Sequence, residues 1–595
     1  TNTYMDLGQF SGEGVGESNT TAKLNDDYAQ YPWNLKNKMS GWNAFNITSD
    51  KTTGKKRALT YTLPYPKGTT TATKSANMYD FNTNDGRSWK SYTSIKTEDQ
   101  LKTMADDLGG CYLLEGNITL TGEWLPVGMN QSCPFTGILE GQGYTISGLN
   151  ITTTDGNYQG LGLFGYAKGI IRNVNVKGTI NSSKSYAGGI AGYASDAEIT
   201  GCSFTGSINA FGQSGGIVGC SYGTTIAECT VNGAISGNVE VGGIVGLTDS
   251  NTSISRCSTS GSVTCADNGY TAGGIAGVGA GCTITDCFSS CTIGGKEKLG
   301  GICGNTNGTA PTIKNCIFAG VINCDNNLRG GIAGTDAGTF TNCYYNAAGC
   351  DKAISSGENE NCKALSLMQI AQLTKDNLDT SVWDLGSCKL TKDNVTYNTY
   401  KMDITLPKLK IMKEAVKSSS KVYNFGLDGA EDYEEYTPIT TVSEFEAMEN
   451  DPAGNYVIMT DSIDASNMSE LFTDENNPFT GKLAGNGCKI TVKNTLIGYN
   501  SGLIMGIRAN GEISANGYYL GAIVGQNNDG TIYDCSFSGS VTALGYSGGI
   551  CGISYGGVIR KCWNSGTITS TALGYSGGIC GISYGGVIRK CWNSG

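Results

Sequence analysis

Along most of the chain, apolar residues alternate with short polar ones in brief runs, and clusters of glycine separate the runs. Alternation with a period of two marks half-buried β-strands, and glycine clusters mark the turns between them. The clusters recur. Gly188-Gly189-Ile190-Ala191-Gly192 is followed by matching clusters at Gly215, Gly242, Gly273, Gly300 and Gly330, and Leu161-Gly162-Leu163-Phe164-Gly165 is a divergent first copy. The second glycines stand at 162, 189, 216, 243, 274, 301 and 331, which gives steps of 27, 27, 27, 31, 27 and 30 residues. Between clusters lies an element of the form apolar-x-x-Cys-x-x-x-Gly, as at Ile199-Thr200-Gly201-Cys202. Cys229, Cys257, Cys287, Cys316 and Cys343 follow in phase, and Val174 holds that place in the first copy.

A unit of this kind cannot bury its apolar face alone, so neighbouring units must stack. The expected fold is all-β: a parallel β-helix, or β-solenoid, of Gly-rich coils of ~28 residues. Three short strands per coil and a rise of ~4.8 Å per coil place the seven copies along ~35 Å. The cysteine position faces inward, because only Cys or Val occurs there. So does the position two residues on, which holds Val176, Phe204, Val231, Thr259, Ser289, Phe318 and Tyr345. The residue just before the cysteine is Gly201, Glu228, Arg256, Asp286, Asn315 or Asn342, a variety that fits solvent.

A second array begins near Ser501-Gly502-Leu503 and continues through Gly521, Gly549 and Gly578, with Cys535, Cys562 and Cys591 in phase. The segments leading into the two arrays also match, Ile95–Ile146 aligning with Ile439–Ile490 at a constant offset of 344 residues. Each opens with Thr97-Glu98-Asp99-Gln100 or Thr441-Val442-Ser443-Glu444, a capping-box pattern for a short helix. A helix laid over the first coil would cover its unpaired strand edges. Four segments follow: a β-rich or irregular region over 1–93, a first solenoid module over 94–350, an exit cap and linker over 351–436, and a second module over 437–595. The exit cap carries a helical pattern (Leu365, Leu367, Ile370, Leu373), then Trp383 and Leu406-Pro407-Lys408-Leu409, and residues 411–437 read as the linker. Thr542–Gly566 and Thr571–Gly595 are identical over 25 residues, the mark of a recent duplication. The array is expected to continue beyond Gly595, and the start at Thr1 is expected to reflect a mature product or a fragment.

Composition narrows the chemistry. Of 595 residues 88 are glycine and 10 proline, with no collagen period, and charged residues make up only 16%. The net charge of −11 comes without a Lys/Arg run, so nucleic acid is not an expected partner. No apolar stretch is long enough to insert in a membrane. Histidine is absent, which removes Ser-His-Asp and Cys-His catalysis and His-ligated zinc from this segment. Nine of the 23 cysteines fall on the inward repeat position and read as buried free thiols acting as small hydrophobes. A minority, such as Cys551 with Cys580, could pair. Asp196, Glu240, Asp267 and Asp325 sit at unrelated repeat positions, and Glu228, Asp286 and Asp534 share one without being neighbours. A carboxylate pair for glycosidase or lyase work is therefore not expected, and Asp80–Gly86 reads as a polar turn rather than a calcium loop. The chain is expected to be no enzyme and to need no cofactor or metal. The aromatics of the duplicated coils are the candidate partner-binding residues: Tyr546 over Tyr575, Tyr555 over Tyr584 and Trp563 over Trp592.

The Gly-Gly-Ile-x-Gly clusters with Ile-x-x-Cys between them resemble GLUG-motif repeats over roughly 95–345 and 439–595. That resemblance implies a solenoid of the large secreted and surface-anchored bacterial proteins in which such repeats occur, including adhesin-like proteins and the non-catalytic parts of IgA-protease-type enzymes. The expected function is that of a secreted or cell-surface adhesin or adhesive stalk, whose partner is a host or environmental glycan or protein. The alternatives are a structural subunit of an extracellular fibre, self-associating through the solenoid ends, and a non-catalytic spacer of a larger secreted enzyme.

Overall fold

The computed structural model describes residues 92–152, 160–183, 186–249, 251–266, 270–306, 308–324, 328–515, 517–571 and 574–595, together with the backbone of the strands within 4–91. The contacts divide the chain into two units. The first holds Thr1–Ser387 and Thr405–Val416, the second Cys388–Ile404 and Lys417–Gly595.

Each unit contains a parallel β-solenoid, and one coil of the first shows how it is made. Glu198–Thr200 belongs to sheet A, Ser203–Ala210 to sheet B, Gln213–Gly215 to sheet C and Val218–Tyr222 to sheet D. A coil thus has four strands and not three. The glycine cluster divides one expected strand into two, C and D, that meet at a tight corner. In the first unit sheet A has ten parallel strands, which at ~4.8 Å each span roughly 43 Å, and sheets C and D have six each. In the second unit sheets A and B have seven strands each, D four and C three.

The two halves of the repeat meet inside the coil. A Cβ on Gly216 would stand 2.6 and 2.7 Å from the two methyls of Val231, and one on Gly243 2.7 Å from Thr259 Cγ2. The same opposition joins Gly189 to Phe204, Gly301 to Phe318 and Gly331 to Tyr345. The second glycine of each cluster is therefore required because the inward residue two after the cysteine packs on its bare Cα. Ile190, Ile217, Ile244, Ile275, Ile302 and Ile332 fill the rest of the core and are fully buried.

The residue before the cysteine is a left-handed turn as well as a solvated one. Asn173, Gly201, Glu228, Arg256, Asp286, Asn315 and Asn342 all have φ between 51° and 63°. Asp534, Lys561 and Lys590 do the same in the second unit, at 51–55°. L-residues enter this region at a cost, yet every coil uses it to turn from sheet A to sheet B. Its amide is satisfied one coil along, as where Glu228 N–H donates to Ser255 O at 3.0 Å.

Two short helices, α1 (Glu98–Lys102) and α3 (Val442–Glu446), close the cores, and another, α2 (Leu367–Ala371), belongs to the exit cap. Leu101 and Met104 are buried in the first core, and Phe445 and Met448 in the second. The Thr441/Glu444 capping box is complete. At α1 only half forms, because Gln100 Oε1 accepts from Lys96 N–H at 2.7 Å and not from the N-cap. Residues 411–437, read as a linker, hold the strands Lys417–Asn424 and Tyr433–Glu435 of a four-stranded sheet in the second unit. They are ordered because Tyr423 and Phe425 bury their rings against Val457 and Ala484 of that unit's sheet A. Asp428, in the loop between them, lies 3.0 Å from Lys561 Nζ and accepts from the Tyr533 hydroxyl at 2.9 Å.

Candidate functional site

The cysteines form an internal ladder. Cys202, Cys229, Cys257, Cys287, Cys316 and Cys343 lie on successive coils, buried, each thiol donating to the carbonyl two residues before it at 3.2–3.4 Å. The ladder cysteines form no disulfide, and neither do Cys551 and Cys580, which are register partners on adjacent coils. Burial pushes the Cys229, Cys287 and Cys316 thiols well up, which keeps these three as neutral, apolar side chains.

The carboxylates at repeat positions are dispersed. Asp196 sits in a left-handed turn 3.7 Å from Lys168 Nζ. Glu228 pairs with Arg256 at 3.0 Å, Asp534 with Arg508 at 2.9 Å, and Asp286 accepts from Asn315 Nδ2 at 3.1 Å. Among the described residues no group of three or more Cys, Asp or Glu side chains is placed to hold a metal. Asp267, Asp325 and the turn Asp80–Gly86 lie outside the described residues.

The aromatics come together instead. In the second unit Tyr519, Tyr546 and Tyr575 stack in one column, their centroids 5.7 Å apart at 16–17°. Tyr555 and Tyr584 stack in a second at 5.3 Å and 12°. The first column stands on sheet C and the second at the end of sheet D. Burial pushes the Tyr555 phenol up, with Tyr519, Tyr584, Tyr546 and Glu475 adding to it. Tyr499 lies next to them: burial first, then Glu475, Tyr519, Glu470 and Asp474, push its phenol up. Burial likewise raises Glu470. Tyr575 is 61% and Tyr584 50% exposed. Stacked rings turn their faces to one another, so the columns offer solvent a stripe of ring edges and phenol hydroxyls.

The same corner of the first unit carries tyrosines that repeat analysis did not single out. Tyr166 and Tyr193 stack at 4.6 Å, Tyr193 and Tyr222 at 5.6 Å, and Tyr186 meets Tyr193 edge-on at 5.5 Å. Tyr166, Tyr186 and Tyr222 hold the coil positions of Tyr499, Tyr519 and Tyr555. A half-buried carboxylate again stands close: Glu240 accepts from Gln213 Nε2 at 2.5 Å, is raised by burial, and acts on Tyr186.

Trp563 and Trp592 are not part of this corner. They stand in register on sheet B. The Arg508 guanidinium covers Trp563 at 4.4 Å from the ring centre, and Trp592 is 62% exposed. On sheet B of the first unit a groove of about 640 Å³ runs past Asn175, Ser203, Thr230 and Ser258 beneath residues 411–416.

The family profile of the GLUG motif matches residues 184–209 and 516–542. No curated protein matches the chain. Among solved structures, a Bacteroides ovatus crystal structure provisionally named an immunoglobulin A1 protease is similar at 19% identity and a TM-score of 0.38, covering 54% of this chain and 93% of that one. A structure named IgA1 protease is similar at 13% identity and a TM-score of 0.28, covering 66% of this chain and 38% of that one.

Proposed function

For a GLUG-repeat protein folded as two β-solenoid modules, we propose the role of an extracellular adhesive stalk whose tyrosine corner, where sheets C and D meet, engages a glycan or protein partner. The observation that carries this reading is the recurrence of the corner: both modules place tyrosines at the same coil positions, beside a half-buried glutamate. Tyrosine suits such a surface because it joins a large apolar ring to a hydroxyl and has few rotamers to immobilise. A rigid column of them loses little further freedom on binding.

The scaffold fits a non-catalytic part. Glu228, Asp286 and Asp534, which share a repeat position, lie on separate turns and are held by Arg256, Asn315 and Arg508. Secretion or surface display agrees with the GLUG repeats and with a surface of short polar side chains and few charges; among the described residues no helix is long and apolar enough to cross a membrane. The test is binding of Tyr546→Ala/Tyr575→Ala/Tyr584→Ala to glycan arrays and to cells, with the parent chain alongside. The reading requires at least a tenfold loss of binding at unchanged circular dichroism, since even one hot-spot ring contributes about 2 kcal/mol. Parent binding that survives the triple change overturns it. Sensitivity of that binding to glycosidase or to protease treatment of the cells identifies the partner's chemistry.

A further inference from the structure

The residue that follows the repeat cysteine points away from the core, and its chemistry changes along module 1. It is Asn175, Ser203, Thr230 and Ser258 in the early coils, then Phe288, Ile317 and Tyr344, all in one register column. The polar stretch lines the open groove. The apolar stretch is buried, although it faces outward, because the exit cap lies on it. The Trp383 ring meets Phe288 edge-on at 6.5 Å, and Asn342 Nδ2 donates to Asn377 O at 2.8 Å. The backbone changes at the same place. Ser203–Ala210, Thr230–Gly237 and Ser258–Cys265 are unbroken strands of eight residues. The next two coils break into Phe288–Ser289 with Thr292–Gly294, and Ile317–Phe318 with Val321–Asn323.

Module 2 repeats both changes. The column reads Arg508, Ser536, Trp563, Trp592. Arg508–Ala515 and Ser536–Ala543 are unbroken, and the following coil breaks into Trp563–Asn564 and Thr567–Ser570. Gly595 holds the place of Gly349, since a Cβ on either would run into the carbonyl of the glycine one coil earlier, Gly566 or Gly320. We infer that Trp563 and Trp592 form the seat of an exit cap of the type built by residues 366–387 and 405–410: a short capped helix and an antiparallel strand pair that lays a tryptophan on the outward column of sheet B. The occupant is recognised by continuity with the interface of module 1, where the same coil position, made apolar at the same break in the strand, is covered by such a cap.

The cap pattern is itself recurrent. Trp383–Asp384 pairs antiparallel with Lys408–Leu409, and Trp42–Asn43 pairs antiparallel with Tyr65–Pro66. The strands interleaved with each pair belong to a four-stranded sheet of the same order, starting at Asn46–Lys51 in one case and Ser387–Asn394 in the other.

The test is a fused chain in which residues 350–436 follow Gly595 directly, so that Cys350 takes up the step after Gly349 and the four-stranded sheet that interrupts the cap is carried over whole. Oxidative footprinting read by mass spectrometry compares Trp592 in the parent and fused chains. Seating of the cap lowers Trp592 oxidation by at least about tenfold, the effect of a local contact of about 1.4 kcal/mol. A second fusion carrying Trp563→Ser and Trp592→Ser keeps the same cap without its seat. In it the added copy of the Trp383 strand oxidises about as fast as an exposed tryptophan, while in the first fusion it is protected. Equal Trp592 oxidation in parent and fused chains overturns the inference, as does protection of the added cap that survives loss of both seat tryptophans.

Discussion

Replacing Gly216 by alanine tests the contact that ties the two halves of the repeat together. The new methyl would stand 2.6 and 2.7 Å from the Val231 methyls, against an ordinary separation of at least 3.4 Å, with the Gly243 carbonyl closing the other side. Val231 is itself buried, so it has nowhere to retreat. Overpacking of this kind costs about 1–3 kcal/mol. Alanine also restricts the unfolded chain, which returns about 0.4–1 kcal/mol where its backbone angles are tolerated. The steric term wins, and Gly216→Ala destabilises by about 1–2 kcal/mol. Val231→Ala alone removes two methyls and costs about 1.6 kcal/mol at ~0.8 each, plus a cavity term. In the double variant the alanine methyl at 216 occupies space the valine methyls leave, so the pair costs about 1 kcal/mol less than the sum. Unfolding of a solenoid is not reliably two-state, so the readout should be local. The amides of Gly216, Ile217 and Val218 donate across the coil boundary to Gly243 O and Ile244 O at 3.0–3.1 Å. Their hydrogen exchange should accelerate roughly 5–30-fold in Gly216→Ala. Unchanged exchange, or strict additivity in the double variant, would refute this account of the glycine.

Thiol labelling at pH 8 with iodoacetamide should modify Cys133, which is exposed, while Cys220 and Cys282 stay unmodified until urea is added, because burial pushes them up to about 12 and about 11. Asp428 is held at about 2, first by its bond from Lys561, then by Tyr533, with Arg560 and Lys561 adding charge. A depressed carboxyl contributes stability that is fully present above its ordinary value of 3.8 and is lost as pH falls through about 2. Exchange of residues 417–435 should therefore rise between those values in the parent and be raised and flat in Asp428→Asn. At the left-handed turn, Arg256→Val should destabilise by about 1–2 kcal/mol and Arg256→Asn should not, read as hydrogen exchange of the amide at 256, which donates to Thr285 O. Equal exchange in the two variants would mean that the turn angle is not what limits this position.

The period, the inward cysteine and the matching leading caps were legible because each repeats in phase and periodicity amplifies it. The division of each coil into four strands was not, because the corner between sheets C and D is made by glycines whose side-chain pattern carries no direction. The residue before the cysteine read as solvent for an instructive reason: exposure admits Glu, Arg, Asp or Lys, and that variety conceals a backbone angle common to all of them. Of the candidate aromatics, the duplicated copies drew attention to Tyr546, Tyr555, Tyr575 and Tyr584. Tyr166, Tyr186, Tyr193 and Tyr222 went unnoticed because they come from different positions of unlike coils and converge only when those coils stack. Glu470 lies in a leading segment with no repeat to point to it, and its only signal is the partial burial of its carboxyl.

The glycine-to-core contact has a consequence for how such a molecule changes length. Each coil packs its own glycine on its own inward residue and offers the next coil the same row of amides and carbonyls that it receives. A duplicated segment such as 571–595 can therefore join the stack in register with the coil it copies. Growth by whole coils is then close to neutral for the fold, moving whatever lies beyond it outward by ~4.8 Å per event. Reach becomes a heritable variable that recombination between identical stretches can adjust in either direction, while the chemistry of the corner is copied with every step.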